Sequence, residues 1–164
     1  MKRLICALLA LILAQIVPQP APVRTDAALT YFCYSHSGMN ADQIYSYSVR
    51  AGDEGMLADF DLYCWYEIEG VALDGEDVES LRALIDECDL WSWNGFAGSN
   101  SDILDGESFS LRISFADGTE LYAWGSNAWP KGYGAGAQAI CAYFDALMEK
   151  HEIDPLRAET DAPQ

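Results

Sequence analysis

Ser108-Phe109-Ser110-Leu111-Arg112-Ile113-Ser114-Phe115 runs directly into Ala116-Asp117-Gly118-Thr119-Glu120, and this stretch decides the fold. Phe109, Leu111, Ile113 and Phe115 alternate with small or charged residues, so a strand here is apolar on one face and wet on the other. Asp117-Gly118 supplies the positive-φ dipeptide of a tight hairpin, and the chain returns over 120–125. A sheet with one face packed and one face solvated is characteristically antiparallel, and its apolar face needs helices to cover it.

Working outward, the same period of two recurs upstream. Leu29 to Ser37 is rich in Tyr, Phe and Thr and reads as a strand. Gly38 to Asp42 is a turn, and Gln43 to Ala51 alternates again, with Tyr45, Tyr47 and Val49 on one side. Past the turn Gly52-Asp53-Glu54-Gly55, Leu57 to Glu67 sets Phe60, Leu62, Cys64 and Tyr66 against Asp59, Asp61, Tyr63 and Trp65 and reads as one strand. The period then changes. Asp74 caps a helix, Asp77 stands where a capping box places its reciprocal acid, and Val78, Leu81, Leu84, Ile85 and Cys88 recur at helical spacing up to about Asp89. A second helix runs from Ala135 to Lys150 with Ile140, Cys141, Phe144, Leu147 and Met148 on one side. The expected order is β-β-β-α-β-β-α: an α+β domain over 28–150, with a single antiparallel sheet of about five strands and two helices on one face. Residues 151–164 lose periodicity and read as a tail.

The N-terminus has a different character. Met1-Lys2-Arg3 is a basic head, Leu4 to Ala14 is an uncharged apolar run, and Gln15 to Pro22 is proline-rich. This is the layout of a secretory signal peptide, ending near residue 24, with Ala14, Ala21 and Ala27 as candidate last-removed residues. Extended to Val17 the run has 14 residues, short of the roughly 20 that cross a bilayer, so membrane association is expected only through an uncleaved segment. Lipid anchoring needs a cysteine after the apolar run, whereas Cys6 precedes most of it. The expected location is secreted or extracytoplasmic. Loss of Lys2, Arg3 and Arg24 takes the formal net charge from −17 to −20, a surface that repels phosphate backbones and excludes nucleic acid as a partner.

Of the five cysteines, Cys33, Cys64, Cys88 and Cys141 remain after such processing. Four in an exported domain allow two disulfides in three pairings, or four small buried hydrophobes. No Cys-x-x-Cys exists, and Cys33 and His36, three apart on a strand, point to opposite faces, so no metal site is expected. His36 reads as a surface or edge-strand histidine. Gly134-Ala-Gly136-Ala-Gln-Ala139 spells a dinucleotide fingerprint but lacks the strand before it and the parallel strand after it, which leaves a small-residue helix start that packs closely and no cofactor. Gly98-Ser99-Asn100-Ser101 and Gly125-Ser126-Asn127 lack the second glycine of a nucleophile elbow. Asn100, Asp102 and Asp105-Gly106 break calcium-loop spacing at Leu104 and read as Asx turns. No catalytic residue emerges.

The functional signal lies in the aromatic loops 90–106 and 124–133, where Trp91, Trp93, Phe96, Trp124 and Trp129 sit among Gly and Asn. Trp91 is expected to plug the core where the first helix stops. Trp93, Asn94, Asp102, Asn127 and Trp129 are the candidate ligand-binding residues. Trp93-Asn-Gly-Phe96, Ser99, Leu104-Asp-Gly106, Phe109-Ser-Leu111, Phe115-Ala-Asp-Gly118 and Gly125-Ser-Asn-Ala-Trp-Pro130, with Leu29-Thr-Tyr-Phe32 and Ser37-Gly38, together resemble a group of uncharacterised exported or lipoprotein-type bacterial domains. The resemblance spans about residues 29–149; it implies export and one compact domain and carries no activity. The leading expectation is a monomeric, non-catalytic module that binds a ligand, protein or glycan through these loops. A small carboxylate-dependent hydrolase of envelope polymers would instead set two carboxylates in one cleft. A purely structural or inhibitory domain would have no pocket.

Overall fold

The computed structural model describes residues 24–63, 65–103 and 106–154; the expected signal segment up to Val23, Cys64, Leu104, Asp105 and the tail from Pro155 lie outside these. The domain is α+β: strands β1 (Leu29–Ser37), β2 (Tyr45–Ala51), β3 (Met56–Leu62) and β4 (Tyr66–Ala72), helix α1 (Gly75–Glu87), strands β5 (Ala97–Ser99), β6 (Ser108–Phe115) and β7 (Glu120–Ser126), and helix α2 (Tyr133–Lys150). One sheet holds all the strands in the order β4-β3-β2-β1-β6-β7-β5. Among the described residues no helix is long and apolar enough to cross a membrane.

Two features correct the expected five-stranded antiparallel sheet. The run Leu57 to Glu67 is not one strand. Tyr63 adopts a left-handed conformation with φ 59°, the Trp65 N–H donates to the Leu62 carbonyl at 3.3 Å, and the chain folds back as β4. The alternation survives the reversal because this turn keeps the side-chain parity, so periodicity alone could not reveal it. β5 is the second feature. It pairs in parallel with β7, Ala97 opposite Trp124, which makes the sheet mixed. Three residues of Ala-Gly-Ser carry no alternation to read.

β1 is central, flanked by β2 and β6 in antiparallel register, with Phe32 opposite both Val49 and Ile113. Phe32, Tyr34, Tyr47, Val49, Phe60, Leu111 and Ile113 point to the helix-covered face and are buried. Phe144 of α2 stacks on Tyr47 at 4.5 Å and meets Phe60 edge-on at 5.7 Å, while Leu81 and Ile85 of α1 join the same core. Each such side chain contributes roughly 1.5–3 kcal/mol on burial. The opposite face, with Cys33, Ser35, Ser48, Ser110 and Arg112 in adjacent strands, carries no helix among the described residues.

α1 begins as expected. Asp74 Oδ1 accepts from the Asp77 N–H at 2.9 Å, and Asp77 Oδ2 accepts from the Asp74 N–H at 3.1 Å. The Lys150 ammonium at the end of α2 closes on both acids, 2.8 Å from Asp74 and 2.6 Å from Asp77, which pins the two helices together. On the other side of α1 the Arg82 guanidinium lies over Trp91 and Phe115, at 5.1 and 4.8 Å from the ring centroids, and donates to the Thr25 carbonyl. Thr25 Oγ1 donates to Asp117 at 2.6 Å, so residues just upstream of 28 already belong to the packed unit.

Candidate ligand-binding cleft

Three loops meet beyond one end of the sheet, near the start of α2. The β1–β2 link brings Met39, Asn40 and Gln43; the approach to β6 brings Ile103, Gly106 and Glu107; the segment after β7 brings Asn127 and Trp129. Together they line a cleft of about 420 Å³, within the range of small-ligand sites.

Local chemistry builds each wall. In the first loop, the Gly38 N–H donates to the Gln43 carbonyl at 3.1 Å, and the Asn40 N–H donates to Gln43 Oε1 at 3.3 Å, closing one short 3-10 turn. In the second and third, Asn127 is the clamp. It sits in the left-handed region (φ 53°), which asparagine tolerates. Its N–H donates to the Glu107 carbonyl at 2.8 Å, its Oδ1 accepts from the Glu107 N–H at 2.9 Å, and its Nδ2 reaches the Ile103 carbonyl at 3.4 Å. This requires Gly106, because a Cβ there would stand 1.7 Å from Asn127 Oδ1.

Trp129 is 37% exposed and held from behind by Tyr133 at 4.5 Å and Phe109 at 5.7 Å, both stacked. Met39 and Ile103 are also exposed. Three large apolar side chains thus face solvent around one hollow. Glu107 is the charged residue among those lining the cleft. Behind it His36 is nearly enclosed, stacked on Tyr45 at 5.2 Å. Its Nδ1 lies 2.8 Å from the Gln43 carbonyl, which can only accept, so Nδ1 carries a hydrogen and Nε2 faces the Glu107 carboxylate at 3.6 Å. Burial pushes the Tyr133 hydroxyl up to about 12, with the Glu107 charge acting in the same direction.

The expected site residues divide. Trp129 and Asn127 line the cleft, Asn127 chiefly as the clamp just described. Trp93 is 0% exposed, packed against Phe109 and Tyr133, so it belongs to the core and not to an accessible loop surface. The reason is local: residues 90–93 form a 3-10 turn that rolls both Trp91 and Trp93 inward. Gly136 permits this, since a Cβ there would sit 2.6 Å from the Trp93 ring, and the small-residue helix start is explained. Asn94 is exposed away from the cleft, with Oδ1 accepting from the Tyr122 N–H at 3.1 Å. Asp102 is exposed and donates its N–H to Asn100 Oδ1 at 3.1 Å, an Asx turn. Asp105 lies outside the described residues.

His36 is corrected too, since β1 is central in the sheet and the imidazole faces inward, away from Cys33. Cys33, Cys88 and Cys141 are free thiols; burial pushes the Cys88 and Cys141 thiols up, and Cys64 lies outside the described residues. No group of three His, Cys, Asp or Glu side chains placed to hold a metal occurs among the described residues. Sequence reasoning missed Met39, Asn40, Gln43, Ile103 and Glu107; the usable signal was Met39 and Ile103, large apolar residues within turn sequence. No protein-family model matches the chain, and no curated protein and no solved structure matches it.

Proposed function

We propose that this chain is an exported, non-catalytic binding domain whose ligand seat is the cleft between residues 38–43, 103, 106–107 and 127–129. The observation that carries the reading is the convergence of exposed Met39, Ile103 and Trp129 with Asn40, Gln43 and Glu107 around one hollow. Apolar surface kept in water beside polar groups that fix orientation is the usual composition of a ligand site. Export is supported by the layout of residues 1–22. A hydrolase would need a second carboxylate roughly 5–10 Å from Glu107; the described lining supplies one, which favours binding over catalysis. The cleft itself weighs against a purely structural domain. The test is a panel of glycans, cell-wall fragments and peptides, screened for binding to the full chain and to Trp129→Ala. Loss of at least tenfold in affinity in the variant is expected for a ligand of the cleft. Unchanged affinity for every ligand found overturns the proposal.

A further inference from the structure

The cleft's charge and shape go further than a generic pocket. Among the described residues Glu107 is the one ionisable side chain in the lining, and the Trp129 ring, stacked on Tyr133, stays 37% exposed. A carboxylate beside an exposed indole, with the apolar side chains of Met39 and Ile103 around it, matches a positive charge carried on a short hydrocarbon chain. An anionic ligand would meet Glu107 and the field of a chain with net charge −17. The hydrogen-bonding capacity of Asn127 is largely spent on Glu107 and Ile103, which leaves less for the many hydroxyls of a sugar.

Resting on the reading of the cleft as a ligand seat, we propose that it takes an alkylammonium group, the stem lying against Trp129, Met39 and Ile103 and the cation against the Glu107 carboxylate. The same chemistry is offered by a free amine and by a lysine side chain of a polypeptide. His36 Nε2 faces the same carboxylate from behind at 3.6 Å, and its ring is held there by the Gln43 carbonyl on Nδ1 and by the stacked Tyr45 ring.

The test is amide and indole NMR on the full chain, titrated with n-butylammonium, the tripeptide Gly-Lys-Gly, chitobiose and acetate. Expected are saturable shifts at the Trp129 indole N–H and the Glu107 and Asn127 amides with the two cations only. Binding should weaken by about tenfold in Glu107→Gln, the loss of one charge-assisted contact. Tighter binding of the tripeptide than of butylammonium would identify a polypeptide as the source; equal binding, a small amine. If chitobiose shifts these resonances and the cations do not, the ammonium assignment falls and the ligand seat stands. If no probe and no ligand from the wider panel perturbs Trp129, both fall. Cation binding unchanged in Glu107→Gln overturns the assignment.

Discussion

Gly106→Ala tests the clamp that builds the cleft. The added Cβ would stand 1.7 Å from Asn127 Oδ1, 2.3 Å from Cγ and 2.4 Å from Nδ2, so the side-chain amide must leave its place. Two contacts go with it: the Glu107 N–H to Oδ1 bond at 2.9 Å and the Nδ2 to Ile103 carbonyl contact at 3.4 Å. Each hydrogen bond contributes about 0.5–1.5 kcal/mol net, and a part-buried Glu107 N–H left without its acceptor adds about 1 kcal/mol more. The expected cost is about 2–3 kcal/mol, a fall in melting temperature on the order of 10 °C for a domain of this size. Asn127→Gly alone loses the same two contacts but eases the left-handed backbone, and should cost about 1–2 kcal/mol. In the double variant the alanine has nothing to strike. Its cost should therefore be close to that of Asn127→Gly alone, a coupling of about 2–3 kcal/mol by urea denaturation. Additivity of the two changes within about 0.5 kcal/mol would refute the argument, because it would mean that Gly106 is needed for some reason other than Asn127.

Two further outcomes follow from the core and from the helix clip. Trp93→Ala should cost about 3–5 kcal/mol, as expected of a fully buried aromatic. Trp93→Phe should cost less than about 2 kcal/mol, because it keeps an aromatic ring and removes an indole N–H that is buried with no hydrogen-bond partner among the described residues; a loss above about 3 kcal/mol by urea denaturation would show that the N–H is satisfied. For acid unfolding, the Lys150 ammonium, with the Asp77 N–H, holds the Asp74 carboxyl down at about 2, and Thr25 holds the Asp117 carboxyl below the usual range. A carboxyl depressed in the folded state stabilises fully above its unfolded value of about 3.9, and the contribution is lost as pH falls toward about 2. Lys150→Met should therefore move the acid-unfolding midpoint upward; an unchanged circular-dichroism profile between pH 5 and pH 2 would contradict the clip.

Elements whose side chains alternate or recur against one core were legible in the sequence. β1, β6, β7 and α1 appear where the periodicity puts them, because each has a long apolar face whose burial dominates local preference. The Asp74 and Asp77 cap was readable for the same kind of reason, as short-range chemistry complete within four residues. The hairpin at Tyr63 was not, since a tight turn made by a tyrosine in the left-handed region has none of the Gly, Asn or Pro that mark turns. β5 was invisible for another reason. It is three residues long and held by a neighbour, β7, more than twenty residues away, and no local pattern encodes such a pairing.

The cleft repeats this division at the level of function. Trp129 lines the cleft, and a tryptophan in a loop is conspicuous by residue type. Trp93 was conspicuous for the same reason and yet belongs to the core, so residue type by itself does not separate a binding aromatic from a packing one. What separates them is the support behind each ring. Trp93 is enclosed by Phe109, Tyr133 and the space that Gly136 leaves, whereas Trp129 leans on Phe109 and Tyr133 from outside and keeps part of its surface in water. The same two rings, Phe109 and Tyr133, thus form the boundary between core and site. A substitution such as Tyr133→Leu should for that reason disturb ligand binding and stability together, whereas Trp129→Ala should act chiefly on binding.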